Sequence, residues 1–159
     1  MSILHALRRR APDFVVYTAD GRPYLRRWWV IPRNPRFNIY LHHFAASDDD
    51  RALHDHPWWN LSIILAGEYL EHLPGGLIKR RKAWRPWAPW RLVFRRARAA
   101  HRIELLPDLA PGQLRPAWTL FITGRRVREW GFWCPQGWRH WRDFTARGDK
   151  GRIGPGCEG

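Results

Sequence analysis

The sequence predicts an all-β sandwich or barrel in a single domain. Three observations carry that expectation. Helical periodicity is scarce, short apolar runs recur between turn signals, and no internal repeat is present. At 159 residues the chain is long enough to bury a substantial core as one unit.

Residues 1–10 read as a short basic helix. Phe14-Val15-Val16-Tyr17 reads as a strand, closed by the turn Ala19-Asp20-Gly21. Residues 24–31 form a second, stopped by Pro32-Arg33-Asn34-Pro35, and residues 37–44 a third, followed by the acidic loop Ser47-Asp48-Asp49-Asp50. Next comes His54-Asp55-His56-Pro57-Trp58-Trp59-Asn60-Leu61-Ser62-Ile63-Ile64-Leu65-Ala66-Gly67, with a turn at Ala66-Gly67 into a strand over 68–72. Pro74-Gly75-Gly76 precedes a basic strand over 77–84, and residues 86–89 break the chain. Strands are expected over 91–96 and 100–106, with a loop over 107–116. Residues 117–122 and 126–133 read as a hairpin around Gly124. The domain is expected to end near 144, and Gly-rich residues 145–159 read as a loose tail.

The net charge of +14 and a pI near 11.3 attract polyanions: nucleic acid, anionic membrane or phosphorylated ligands. A GC-rich codon bias competes as the explanation, because Lys79, Lys82 and Lys150 are the only lysines among 28 basic residues. No stretch of about 18 apolar residues is present, so no transmembrane helix is expected. The first residues lack the long apolar segment and cleavage site of a secretory signal. Cys134 and Cys157 do not make a disulfide framework, and Cys134 reads as a buried structural thiol. A reducing cytoplasm is the compartment these features fit.

His54 and His56 stand two apart. In an extended strand their side chains share one face, with alpha carbons about 6.5–7 Å apart, while Asp55 faces the other way. Two convergent imidazoles suit Fe, Mn, Ni, Cu or Zn, and a third ligand must come from elsewhere.

The spacing His54-x-His56, three residues, Asn60, six residues, Gly67 resembles the first motif of the cupins, with Asn60 at the position of a glutamate. The second cupin motif, counted back from His101, puts Arg98 and Arg96 where glycine and proline usually stand. The chain therefore resembles a small metal-binding cupin over residues 37–122, and somewhat the three-histidine thiol dioxygenases. Residues 27–34, 47–58 and 131–141 are also similar to uncharacterised cupin-like proteins of phages and proteobacteria.

This resemblance implies a double-stranded β-helix, or jelly-roll barrel, with a mononuclear metal on His54, His56 and His101. Fe(II) is the leading ion, with Mn, Ni or Zn as alternatives. It implies a dioxygenase-like oxidoreductase acting on a small anionic substrate, with Arg96 and Arg98 neutralising a carboxylate or phosphate. Asn60 is a further candidate, as ligand or as a support behind one. One of His42 and His43 must point inward, and a polar inward face favours His42 with Tyr40, with a solvent-facing pair as the alternative. Glu68, Glu71 and Glu104 are expected to pair with arginines.

Two other readings stay open. One is a binding cupin without turnover, recognising a ligand or nucleic acid, for which Trp84, Trp87 and Trp90 alternating with Arg85 and Arg91 offer stacking faces. The other is an isomerase or lyase using the metal as a Lewis acid. Twelve tryptophans supply apolar surface for a homodimer.

Overall fold

The computed structural model describes residues 9–18, 20–48, 52–83, 92–145 and 154–158. The basic helix expected at the start, Trp84, Trp87 and Trp90, and part of the acidic loop lie outside the described residues.

Among the described residues, twelve strands form the architecture: β1 (Phe14–Tyr17), β2 (Pro23–Trp29), β3 (Asn38–Phe44), β4 (Leu53–His54), β5 (Asn60–Ala66), β6 (Glu68–His72), β7 (Ile78–Lys82), β8 (Leu92–Arg95), β9 (Arg102–Leu105), β10 (Ala117–Thr123), β11 (Gly131–Cys134) and β12 (Gly137–His140). One helical turn, α1 (Trp141–Phe144), follows. The first sheet runs β1-β2-β3-β10-β5-β8 and is antiparallel throughout. The second is built from β7-β6-β9 and β4-β11-β12, joined where His54 bridges His101. Sequence neighbours sit on opposite sheets: β4 and β6 lie in the second, β5 between them in the first. That crossing order is a jelly roll, the double-stranded β-helix the sequence leads one to expect.

Strand alternation divides the interior into two ends. Leu25, Phe44, Ile64, Tyr69, Val93, Ile103, Leu105 and Ala117 form one apolar cluster. The same strands supply Tyr40, His42, Asn60, Ser62, Glu71, Arg95 and Thr123, buried polar or charged positions toward the other end. The turn at Ala66-Gly67 is built as expected: Gly67 has φ +75°, and a Cβ there would collide with the Pro116 carbonyl.

Two expectations are corrected. Residues 126–133 do not fold back on β10, whose two edges are taken by β3 and β5. Instead the Gly124 N–H donates to the Trp59 carbonyl, Val127 N–H to Pro57, and the Trp59 indole fills the space a side chain at 124 would need. The chain is thus captured by the segment following His56, and β11 pairs with β4 and β12.

Cys134 is not a free thiol. It forms a disulfide with Cys157, their alpha carbons 5.5 Å apart. The described part of the tail is accordingly tied down, with Gly156 N–H also donating to the Phe144 carbonyl. A bridge across 23 residues is worth about 3 kcal/mol on chain-entropy grounds. Oxidised protein unfolded without reductant should titrate no free thiol, and reduction should lower the urea-unfolding free energy by about that amount.

Candidate metal centre

His54 and His101 face each other across an antiparallel bridge. Each backbone N–H donates to the other's carbonyl at 2.9 Å. His56 is placed by its own N–H, which donates to Ala97 O at 3.0 Å. Although β4 ends at His54, the alternation persists, and Asp55 turns away from the two rings into a separate set of donors. The three ring centroids lie 4.8–5.2 Å apart, and each ring offers a nitrogen within 4.8 Å of the others.

His56 Nε2 and His101 Nε2 approach to 2.9 Å. Two nitrogens bound to one ion at about 2.1 Å and at right angles would sit about 3.0 Å apart, so this spacing fits a shared cation. Behind the rings lie carboxylates. His101 Nδ1 is 3.2 Å from Glu71 Oε1, an electrostatic approach without the alignment of a good hydrogen bond. His54 Nδ1 is 3.7 Å from Asp48 Oδ2. Carboxylates on the Nδ1 side of His54 and His101 favour a proton there, which would leave Nε2 as the lone pair, the arrangement a ligating histidine needs.

The electrostatics keep two of the rings, His56 and His101, neutral. Burial pushes the His56 imidazole far below the usual histidine range, with His54, His101 and Arg95 adding to the effect. Burial also pushes His101 down to about 3, Arg95 acting with it and Glu71 against it. Burial alone would raise the Glu71 carboxyl, but His101 and Arg95 outweigh it and hold it well below the carboxylate range. Burial raises the Asp48 carboxyl, and His54 opposes that. Asp48 is fastened by the Ile103 N–H at 2.6 Å and by the Tyr24 hydroxyl.

Glu71 pairs with arginines, as expected, but it also reaches the imidazole cluster, which its sequence neighbourhood does not announce. It is fully buried and binds Arg95 and Arg81. Arg95 in turn donates from Nη1 to Asn60 Oδ1 at 3.3 Å and Ser62 Oγ at 3.2 Å. Asn60 thus lies in the barrel with its oxygen on Arg95, while its Nδ2 has no partner among the described residues. Arg96 and Arg98 are exposed, Arg96 beside an outer depression lined by Trp59, Phe94, Ala97 and Val127. The interior arginine of β8 is Arg95.

Between His42 and His43, the inward residue is His42. His43 packs outward on Trp118, 4.4 Å between centroids. His42 lies between Tyr40 and Phe121, and Phe121 is also 6.0 Å from His56. Arg27 Nε donates to His42 Nε2 at 2.9 Å, and its guanidinium lies 4.9 Å over the Tyr40 ring. An arginine only donates, so His42 Nε2 is the lone pair and its proton sits on Nδ1, which is buried without a partner among the described residues. Burial lowers Arg27 to about 10, leaving it charged at neutral pH, and no carboxylate among the described residues pairs with it.

No family model matches the chain, and no curated protein matches it. Similar solved structures include an uncharacterised conserved protein with a double-stranded β-helix domain from Klebsiella pneumoniae, at 14% identity and TM-score 0.49, covering 83% of this chain and 94% of that one. A cupin superfamily protein from Desulfitobacterium hafniense has 16% identity and TM-score 0.46, over 64% and 77% of the two chains. KdgF from Halomonas has 15% and 0.47, over 67% and 84%. Likeness at this level carries nothing about activity.

Replacing Glu71 with Gln should leave Arg95 buried without its counter-charge. The expected loss of stability is about 3–5 kcal/mol by urea denaturation, and a loss under about 1 kcal/mol would contradict the network.

Proposed function

With the cupin double-stranded β-helix as its framework, we propose that this chain binds one divalent transition metal through His54, His56 and His101. We infer that it works as an iron-dependent, dioxygenase-like oxidoreductase on a small anionic substrate. The observation that supports the reading is the convergence of three imidazoles, two of them, His54 and His101, with Asp48 and Glu71 behind their Nδ1 atoms.

A bound Fe(II) would supply redox chemistry with dioxygen, and three neutral ligands leave its positive charge and several coordination positions available. The chain's own residues supply the rest. His56 and His101 are held unprotonated by burial, so neither must lose a proton to ligate near neutral pH. Glu71 and Asp48 orient two of the rings, and Phe121 walls one side of His56.

The anion is assigned to Arg27 and His42 in place of Arg96 and Arg98. Arg27 carries a charge that no described carboxylate neutralises, and His42 presents a buried Nδ1–H that has no acceptor among the described residues. Together they match an oxygen acceptor of a carboxylate or related anion. Zn, Mn or Ni would fit the same three nitrogens, and metal use as a Lewis acid is the corresponding isomerase or lyase reading.

Binding without turnover is the second reading. The outer strand β7 favours it, with Lys79, Arg80 and Lys82 exposed on a chain of net charge +14. Nucleic-acid affinity that falls steeply with salt would accompany that role. The cytoplasm is the proposed compartment. Among the described residues no helix is long and apolar enough to cross a membrane, and a disulfide in that compartment would be a reversible one.

Protein loaded anaerobically with Fe(II) or Zn(II) and offered small carboxylates and thiols tests the reading. Oxygen consumption should occur with Fe(II) alone, vanish in His101→Ala, and show a raised KM in Arg27→Met. Equal turnover with Zn(II) would favour the Lewis-acid role, and no turnover with any metal would overturn the oxidoreductase.

A further inference from the structure

Asp55 stands between the two histidines of the motif, fully buried and pointing away from the rings. Its carboxylate collects four donors from one short segment. Gly131 N–H donates to Oδ1 at 2.9 Å, Trp138 Nε1 to Oδ2 at 3.0 Å and Trp133 Nε1 to Oδ2 at 3.3 Å, and Arg128 Nη1 lies 2.8 Å from Oδ2. The backbone closes the loop, with Asp55 N–H donating to Gly131 O at 3.0 Å. Arg128 also reaches the His56 carbonyl. The peptide between two prospective ligands is therefore held from outside the barrel by residues 128–138.

That segment is itself held at its far end. Phe132 pairs with His54 across β11 and β4, and its ring stacks on Phe144. The next residues end at Cys134, bonded to Cys157, while Gly156 N–H holds the Phe144 carbonyl. Both cysteines are half-buried, so the bridge is not sealed in the core.

We propose that the Cys134–Cys157 disulfide regulates the metal centre, with Asp55 as the positioning residue that carries the effect. The inference rests on the three-histidine metal reading. The chemical step is thiol–disulfide exchange with a dithiol reductant. The dithiol gives up two electrons and two protons and becomes its own cyclic disulfide, and the bridge becomes two thiols. Reduction removes the tether at the end of β11 and loosens the β11–β12 hairpin, whose strands carry the donors Gly131, Trp133 and Trp138. Asp55 then loses its fixed position, and the spacing of His54 and His56 loosens. The oxidised protein binds metal tightly, and the reduced protein binds it weakly.

The test is a Zn(II) competition titration against a chromophoric chelator, with amide hydrogen exchange read at Asp55 and Gly131. Cys134→Ser/Cys157→Ser should bind Zn(II) about tenfold or more weakly than the oxidised wild type, as expected for loss of an outer support. Its Gly131 amide should exchange faster, and reoxidising reduced wild type should restore both properties. Trp138→Phe, which removes one N–H and keeps an aromatic ring, should weaken binding several-fold with the disulfide intact. Unchanged affinity and unchanged Gly131 exchange in the double variant would overturn the proposal. If that variant does not fold, unchanged affinity in Trp138→Phe overturns it instead. A wild type that takes up no Zn(II) would sink the metal reading. Gly131 exchange would then still show whether the disulfide holds Asp55.

Discussion

The bridge between His54 and His101 is the contact on which the rest of the structure depends. Its two reciprocal backbone hydrogen bonds join β4 to the strand end that leads into β9, and so complete the second sheet. The same two bonds place two imidazoles side by side. Fold closure and site assembly are one event here: a register error of one residue at this bridge would open the sheet and turn both rings away from each other.

The barrel keeps this arrangement by separating its interior into an apolar end and a polar end. The apolar cluster around Tyr69, Ile64 and Leu105 supplies the burial that makes a small domain stable. The polar end sets that stability against chemistry. Glu71 and Arg95 are almost wholly removed from water, and such a pair is tolerated only when its remaining donors and acceptors are met. Asn60 and Ser62 meet two of Arg95's, and Arg81 takes the second oxygen of Glu71. The buried carboxylate nearest the rings comes from Glu71 on β6.

Much of this was legible in the sequence, and the failures have physical causes. Strand positions follow from apolar runs between Gly and Pro turns, the pairing of His54 with His56 follows from their spacing, and His101 follows from the resemblance to the second cupin motif. The sequence pairs Glu71 with arginine, as the structure does, but nothing in Tyr69-Leu70-Glu71 tells which sheet faces which histidine. Arg96 and Arg98 stand out because they fall on the second motif counted back from His101, whereas Arg95 has no motif position, and the apolar Leu92, Val93 and Phe94 hide which parity of the strand points inward. The hairpin at Gly124 failed since a jelly roll pairs each strand with remote partners, and local turn chemistry is silent on that. The disulfide was hidden by a Gly-rich interval with no pattern of its own to show that the chain returns.

The central claim is that three histidines from two distant segments hold one metal ion. Elemental analysis of protein purified anaerobically without chelator, beside the His54→Ala/His56→Ala variant, tests it most directly. The account predicts about one equivalent of a first-row metal, iron foremost, in the wild type and none in the variant. No metal in either protein, or equal metal in both, would contradict it.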